Sequence, residues 1–142
     1  MMKRLIIASI VVIFAMGYYF VNAKSGEDGR WYTKAQVLKG KKLFAANCAS
    51  CHGLNAQKTE NWRQKLADGS YPPPPLNGTA HAWHHPFDNL ISQIQDGGAK
   101  YGGKMPGFRG VLDKEEEKDV ISYFQSFWND KIYDSWAKRS GL

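Results

Sequence analysis

The chain has 142 residues, with 19 Lys plus Arg against 13 Asp plus Glu and a net charge of +6 when histidine is neutral. This length favours a single domain. The basic residues are interleaved with acidic ones, not gathered into a stripe, which argues against a nucleic-acid reader. A modest positive charge suits docking on an acidic protein surface, where it speeds encounter more than it sets affinity.

The N-terminus reads as a targeting element. Met1-Met2-Lys3-Arg4 is a basic start, and Leu5 to Val21 carries no charged side chain. As a helix this run reaches roughly 25 Å, at the short end of what spans a bilayer. Two fates stay open for residues 1–23. Val21-Asn22-Ala23 is a serviceable cleavage site for a signal peptide, but the run exceeds the usual signal core of about 7–15 residues. Tyr18 and Tyr19 sit where an interfacial aromatic belt belongs, which favours a retained signal-anchor, a transmembrane helix. Both fates send the remaining chain to the periplasmic side, because Lys3 and Arg4 favour the cytoplasm. Without residues 1–23 the net charge falls from +6 to +4.

Residues 24–32 form a polar linker with Gly26 and Gly29. Thr33 and Gln36 have capping-box spacing and open a helix to Asn47. Its apolar side is expected from Val37, Leu38, Phe44 and Ala45. Gly40 in mid-helix points to close approach by another element. Thr59 to Ala67 is a short helical candidate. Tyr71-Pro72-Pro73-Pro74-Pro75-Leu76 is neither helix interior nor central strand, so it is expected as a stiff extended wall. Asp88 serves as N-cap for a helix to about Asp96, with Leu90, Ile91 and Ile94 inward. Residues 97–108 are a glycine-rich loop. Asp113 with Glu116 opens a last helix to about Trp128, with Val120, Ile121, Phe124 and Phe127 as its stripe. The expected domain is 33–129, followed by an aromatic tail, 130–142, with Ile132, Tyr133 and Trp136 offering one extra packed turn. The fold class is all-α with long loops. The stretch from Leu54 to Phe87 is long for so small a domain, and an apolar cofactor inside it would resolve the difficulty.

Cys48-Ala49-Ser50-Cys51-His52-Gly53 carries the chemistry. Cys-x-x-Cys-His is a signature of c-type heme attachment, in which two thiols add to the porphyrin vinyl groups and the next histidine ligates the iron. A zinc site would need further ligands from His81, His84 or His85. A redox disulfide would be expected after a strand in a βαβ unit. Met105 lies between Gly103-Lys104 and Pro106-Gly107, off any helical stripe. Its soft thioether makes it the candidate sixth ligand, with His81, His84 or His85 as rivals. Metal ligands are therefore expected at His52 and Met105. Trp83, Asn77 and Tyr101 are candidates to hydrogen-bond the heme propionates. Lys41, Lys42, Lys58, Lys65, Lys100 and Lys104 are candidates to ring an exposed heme edge.

From about Val37 to Phe127 the sequence resembles class I c-type cytochromes, the mono-heme carriers, in a membrane-anchored or exported bacterial form. The resemblance rests on Gly40 and Phe44 before the Cys48–Gly53 motif, Pro74-Pro75-Leu76, Lys104-Met105-Pro106 and the aromatic C-terminal helix. It implies three to five helices wrapped around one covalent heme c, His52–Met105 ligation, and Gly40 and Phe44 crossing the last helix near Phe124. It also implies that Pro74 or Pro75 backs His52, so Pro75 joins Trp83 and Tyr101 as a cofactor-binding candidate. The expected function is one-electron transport between a redox donor and acceptor, without enzymatic bond chemistry. The alternatives are a heme-bearing subunit of a larger membrane or respiratory complex, and a heme enzyme or sensor whose sixth ligand is displaceable.

Overall fold

The computed structural model describes Gly26 and residues 29–142, and the chain divides into two units, 1–34 and 35–142. In the first, the Gly26 N–H donates to the Arg30 carbonyl at 3.0 Å, and the Trp31 and Tyr32 rings meet edge to face. The expectation of a transmembrane helix needs correction: no helix among the described residues is long and apolar enough to cross a membrane. The run Leu5 to Val21, on which that expectation rested, lies outside the described residues.

The fold is all-α. Among the described residues the helices are α1 (Lys34–Asn47), α2 (Ala49–His52), α3 (Phe87–Asp96), α4 (Lys114–Gln125) and α5 (Asp130–Ser140). Two 3-10 turns, Ala82–His84 and Ala99–Tyr101, complete the regular structure. Pairing between extended segments is confined, among those residues, to two isolated bridges, Tyr71 with Gly103 and Arg109 with Leu112.

The core begins where α1 crosses α4. A Cβ on Gly40 would stand 1.8 Å from the Asp119 carbonyl oxygen, so only glycine lets the two backbones meet. One turn on, Phe44 is 1% exposed and its ring lies 5.2 Å from that of Tyr123. Burying a phenylalanine contributes about 1.5–3 kcal/mol. The crossing therefore falls at Asp119 and Tyr123, within a turn of the expected Phe124. Gly40, Phe44 and Cys48 make the buried stripe, whereas Leu38 and Ala45 face solvent.

The first turn of α4 is capped as its sequence suggests. The Asp113 carboxylate accepts from the Glu115 and Glu116 N–H groups, each at 2.9 Å, and the Glu116 carboxylate accepts from the Asp113 N–H at 3.0 Å. This capping box satisfies donors that a helix start leaves unpaired. From Asp119 to Gln125 every residue of α4 is buried. The helix stops at Gln125, short of the expected Trp128. Phe127 is exposed and Trp128, 2% exposed, takes the inward place.

Three local expectations change. Thr59 to Ala67 forms turns, not a helix, because its backbone donors find other partners: Thr59 bonds to the Pro73 carbonyl and Leu66 to the Ser70 carbonyl. At α3 the N-cap position belongs to Pro86, with no side-chain cap, and Asp88 lies in the first turn. The residues after Asn129 form a full helix, α5, in place of one extra turn. The Asn129 side chain caps it by accepting from the Ile132 N–H at 3.0 Å, and Tyr133 and Trp136 turn inward.

Candidate functional site

Helix α1 runs almost directly into α2, and this junction places the chemical groups. The Cys48 N–H bonds to the Phe44 carbonyl at 2.9 Å, and the His52 N–H bonds to the Cys48 carbonyl at 2.9 Å. One helical turn thus separates Cys48 from Cys51 and His52. Both cysteines are free thiols, Cys48 buried and Cys51 exposed. Burial, reinforced by the neighbouring Cys51, pushes the Cys48 thiol up to about 11. A thiol so hard to ionise is a poor attacking group for disulfide exchange, which weighs against a redox pair. Among the described residues no three His, Cys, Asp or Glu side chains gather as metal ligands. The zinc alternative thus finds no partners at His81, His84 or His85.

His52 is 5% exposed, and its Nδ1 lies 3.0 Å from the Pro74 carbonyl. A carbonyl only accepts, so Nδ1 carries the proton and Nε2 keeps a lone pair. Nε2 has no hydrogen-bond partner among the described residues. Burial lowers the His52 pKa, against the opposing pull of the Pro74 bond, and this favours the neutral, ligand-ready ring. The partner is Pro74, and Pro75, which is buried, follows it in the wall.

The same extended wall reaches the Met105 loop. The Tyr71 N–H bonds to the Gly102 carbonyl at 2.9 Å, and Lys104 pairs with Asp68. Lys104 and its Ser70 neighbours hold the Asp68 carboxyl well below the usual carboxylate range. Gly97 ends α3 with φ +76°, and a Cβ there would meet the Met105 carbonyl oxygen at 2.5 Å. The Gly98 N–H donates to that oxygen at 2.9 Å. Met105 is half-buried, and its sulfur accepts from the Gln93 amide at 3.7 Å. One stiff segment therefore fastens both the His52 ring and the Met105 loop.

The other candidates are more dispersed. Tyr101 is 66% exposed, with the Lys100 ammonium over its ring. Trp83 is half-buried, close to the His84 ring, and lines a cleft of about 650 Å³ with Trp62, Arg63, His81 and His84. Neither His52 nor Met105 lines that cleft. Asn77 turns back on its own loop, accepting from the Thr79 hydroxyl at 2.7 Å. Lys41, Lys42, Lys58, Lys65, Lys100 and Lys104 are all exposed, although Lys104 is paired with Asp68 and Lys65 lies over the Tyr71 ring. Sequence reasoning missed Gln93 as the neighbour of the Met105 sulfur. Its one signal was its place on α3, a turn before the glycine-rich loop.

The crossing of α1 and α4, the thiol–imidazole turn and the methionine loop define a cytochrome c-like all-α fold. The family model described as "Cytochrome C oxidase, cbb3-type, subunit III" matches residues 35–124, and the chain belongs to that family. Cytochrome c6 of Synechocystis sp. is 34% identical over 94 residues, 63% of this chain and 63% of that protein. Cytochrome c6 of Nostoc sp. is 33% identical over 63% of this chain and 68% of its own length. That of Diacronema lutheri is 28% identical over 94% of its length. The chain thus spans a little under two thirds of the Synechocystis relative. No solved structure matches it. The relationship is distant, and it indicates a redox role of the non-enzymatic kind at the level of the family.

Proposed function

We propose that the chain carries one heme c, bonded through Cys48 and Cys51 and ligated by His52 and Met105, and that it transfers single electrons as the heme-bearing subunit of a larger redox complex. The observation that carries this reading is the buried His52 ring, tied to Pro74 through Nδ1 and left with Nε2 unpartnered. A ligating histidine characteristically gives its other N–H to a carbonyl, which fixes its tautomer and orientation. Two free thiols one turn away and a half-buried thioether supply the remaining donors such a group needs.

When bound, the heme supplies a reversible one-electron couple. The chain's own residues hold and tune it. Pro74 sets the orientation of the His52 ring. The Tyr71–Gly102 bond keeps the wall and the Met105 loop in register. Pro75, Trp83 and Tyr101 serve as lesser contacts, Trp83 and Tyr101 toward the propionates. Thiol attachment and the basic, apolar N-terminus place the domain on the periplasmic side. The family match to an oxidase subunit favours the complex. The likeness to cytochromes c6 supports a second reading, a diffusing carrier docking on acidic partners.

The test is the untagged protein isolated from its host. A mass increased by one heme that survives acid–acetone, a methionine–iron band in the near infrared and indifference to carbon monoxide are the expected results. Co-purification with other redox subunits selects the complex, and a free protein selects the carrier. Colour lost in acid–acetone overturns covalent attachment. Strong carbon monoxide binding overturns ligation by Met105.

A further inference from the structure

Helix α3 ends one turn after Gln93, and that side chain reaches back to the loop its helix introduces. The Gln93 amide nitrogen donates to the Met105 sulfur at 3.7 Å, within the longer range of sulfur acceptors. It has no other acceptor among the described residues. A primary amide prefers oxygen to a thioether, so its use of sulfur is imposed by its position on α3.

The space for this contact is built into the backbone. A Cβ on Gly98 would stand 3.3 Å from the Gln93 amide nitrogen and 3.3 Å from the Met105 Cβ. Glycine at 98 leaves the slot through which amide and thioether meet. The Gly98 N–H meanwhile holds the Met105 carbonyl at 2.9 Å. Main chain and side chain of Met105 are thus fixed by separate donors.

We propose that Gln93 is the positioning residue for Met105, fixing its thioether in orientation and drawing electron density from its sulfur. This rests on the ligand role proposed above for Met105. A thioether sulfur has two lone pairs. The amide takes one and leaves the other directed toward a metal. A sulfur that already accepts a hydrogen bond is a weaker donor to oxidised iron, so the bond raises the reduction potential.

The experiment compares the heme-loaded full chain with its Gln93→Leu and Gln93→Glu variants, by reduction potential and by the near-infrared methionine–iron band. Leucine keeps most of the volume and loses the donor. Glutamate keeps the shape, and at neutral pH it only accepts. The potential should fall from wild type to Gln93→Leu and further to Gln93→Glu. In Gln93→Leu the ratio of reduced to oxidised protein at fixed poise should drop about threefold, roughly 30 mV for a one-electron couple. The band should shift in both variants. Gly98→Ala should shift it too, because Gly98 has φ −104°, which alanine accepts, and only the slot is closed. A potential and band unchanged in both Gln93 variants overturn the inference while leaving Met105 as ligand. A wild-type protein without the band overturns the ligand reading and this inference with it. If Gln93→Leu fails to accumulate, an unaltered potential in the isosteric Gln93→Glu is sufficient to reject the proposal.

Discussion

Where α1 crosses α4, a missing side chain does the holding: Gly40 lets one helix backbone lie against the other, and Phe44 and Tyr123 close the gap above it. The stretch from Leu54 to His85 has no such packing of its own. It is fastened from outside, by polar tips of large aromatic residues in the C-terminal part of the chain. The Tyr123 hydroxyl donates to the Leu54 carbonyl at 2.7 Å, the Trp128 indole to the Leu76 carbonyl at 2.8 Å, and the Trp136 indole to the His85 carbonyl at 2.9 Å. Arg139 adds a bond to the Trp83 carbonyl at 3.1 Å. A loop of this kind carries backbone carbonyls that must be satisfied if they leave water. An indole or phenol does so while burying its ring in the core.

The comparison breaks most sharply at Trp136, which is 0% exposed and packs edge to face on Trp128. Trp136→Ala should cost about 3–5 kcal/mol of unfolding free energy, read by urea denaturation of the full chain. Trp136→Phe keeps most of the ring and loses the N–H, so about 1 kcal/mol should go. In that variant, amide exchange should quicken around residues 81–86 and stay slow in α1 and α4. Equal acceleration in both regions would mean that the two are not separately held.

Gly40→Ala attacks the other region. Its new methyl group would sit 1.8 Å from the Asp119 oxygen, so the helices must part. The expected cost is about 1–3 kcal/mol, with faster exchange in α1 and α4. A variant as stable as wild type would show that the crossing has room to spare.

This contrast also explains what could be read from the sequence. The crossing was visible because its signals are local: a glycine inside a helical pattern, an aromatic four residues on, and Asp113 with Glu116 at capping-box spacing. The Cys48–His52 motif and Met105 were visible for the same reason, each being a short string of residue types suited to one chemistry. The fastening of the loop was not visible, because Trp128, Trp136 and Tyr123 are separated by about fifty to seventy positions from the carbonyls they meet, and nothing in composition pairs them. The long loop seemed to need a cofactor for support, and the C-terminal aromatics already provide part of it. The turns at 59–67 were misread because their backbone partners, Pro73 and Ser70, lie beyond the window in which a helix is recognised.

Tyr123 belongs to both regions, its ring against Phe44 and its hydroxyl on the loop. Tyr123→Phe should therefore cost about 1 kcal/mol and loosen residues 53–56 without disturbing the crossing. A loss of several kcal/mol would show that the hydroxyl supports the crossing as well.

The smallest effect is a pH dependence confined to the loop. The His81 ring stacks on Trp62 and meets His85 edge to face. Burial lowers the pKa of His81 below its ordinary 6.5, helped by the charges of His85, His84 and Arg63. Burial likewise lowers that of His85, helped by His84 and Arg139. A base with a depressed folded-state pKa is neutral in both states well above 6.5 and costs nothing there. As pH falls through that value the unfolded chain takes up protons that the folded loop resists, so stability drops. His52 shifts in the same direction, and its share would persist in variants elsewhere. The His81→Asn, His85→Asn double variant should therefore show a shallower loss of urea midpoint between pH 7 and pH 5 than wild type, while Gly40→Ala keeps the wild-type slope. If the double variant keeps the full slope, the dependence arises at His52 and the loop histidines are not coupled to its fastening.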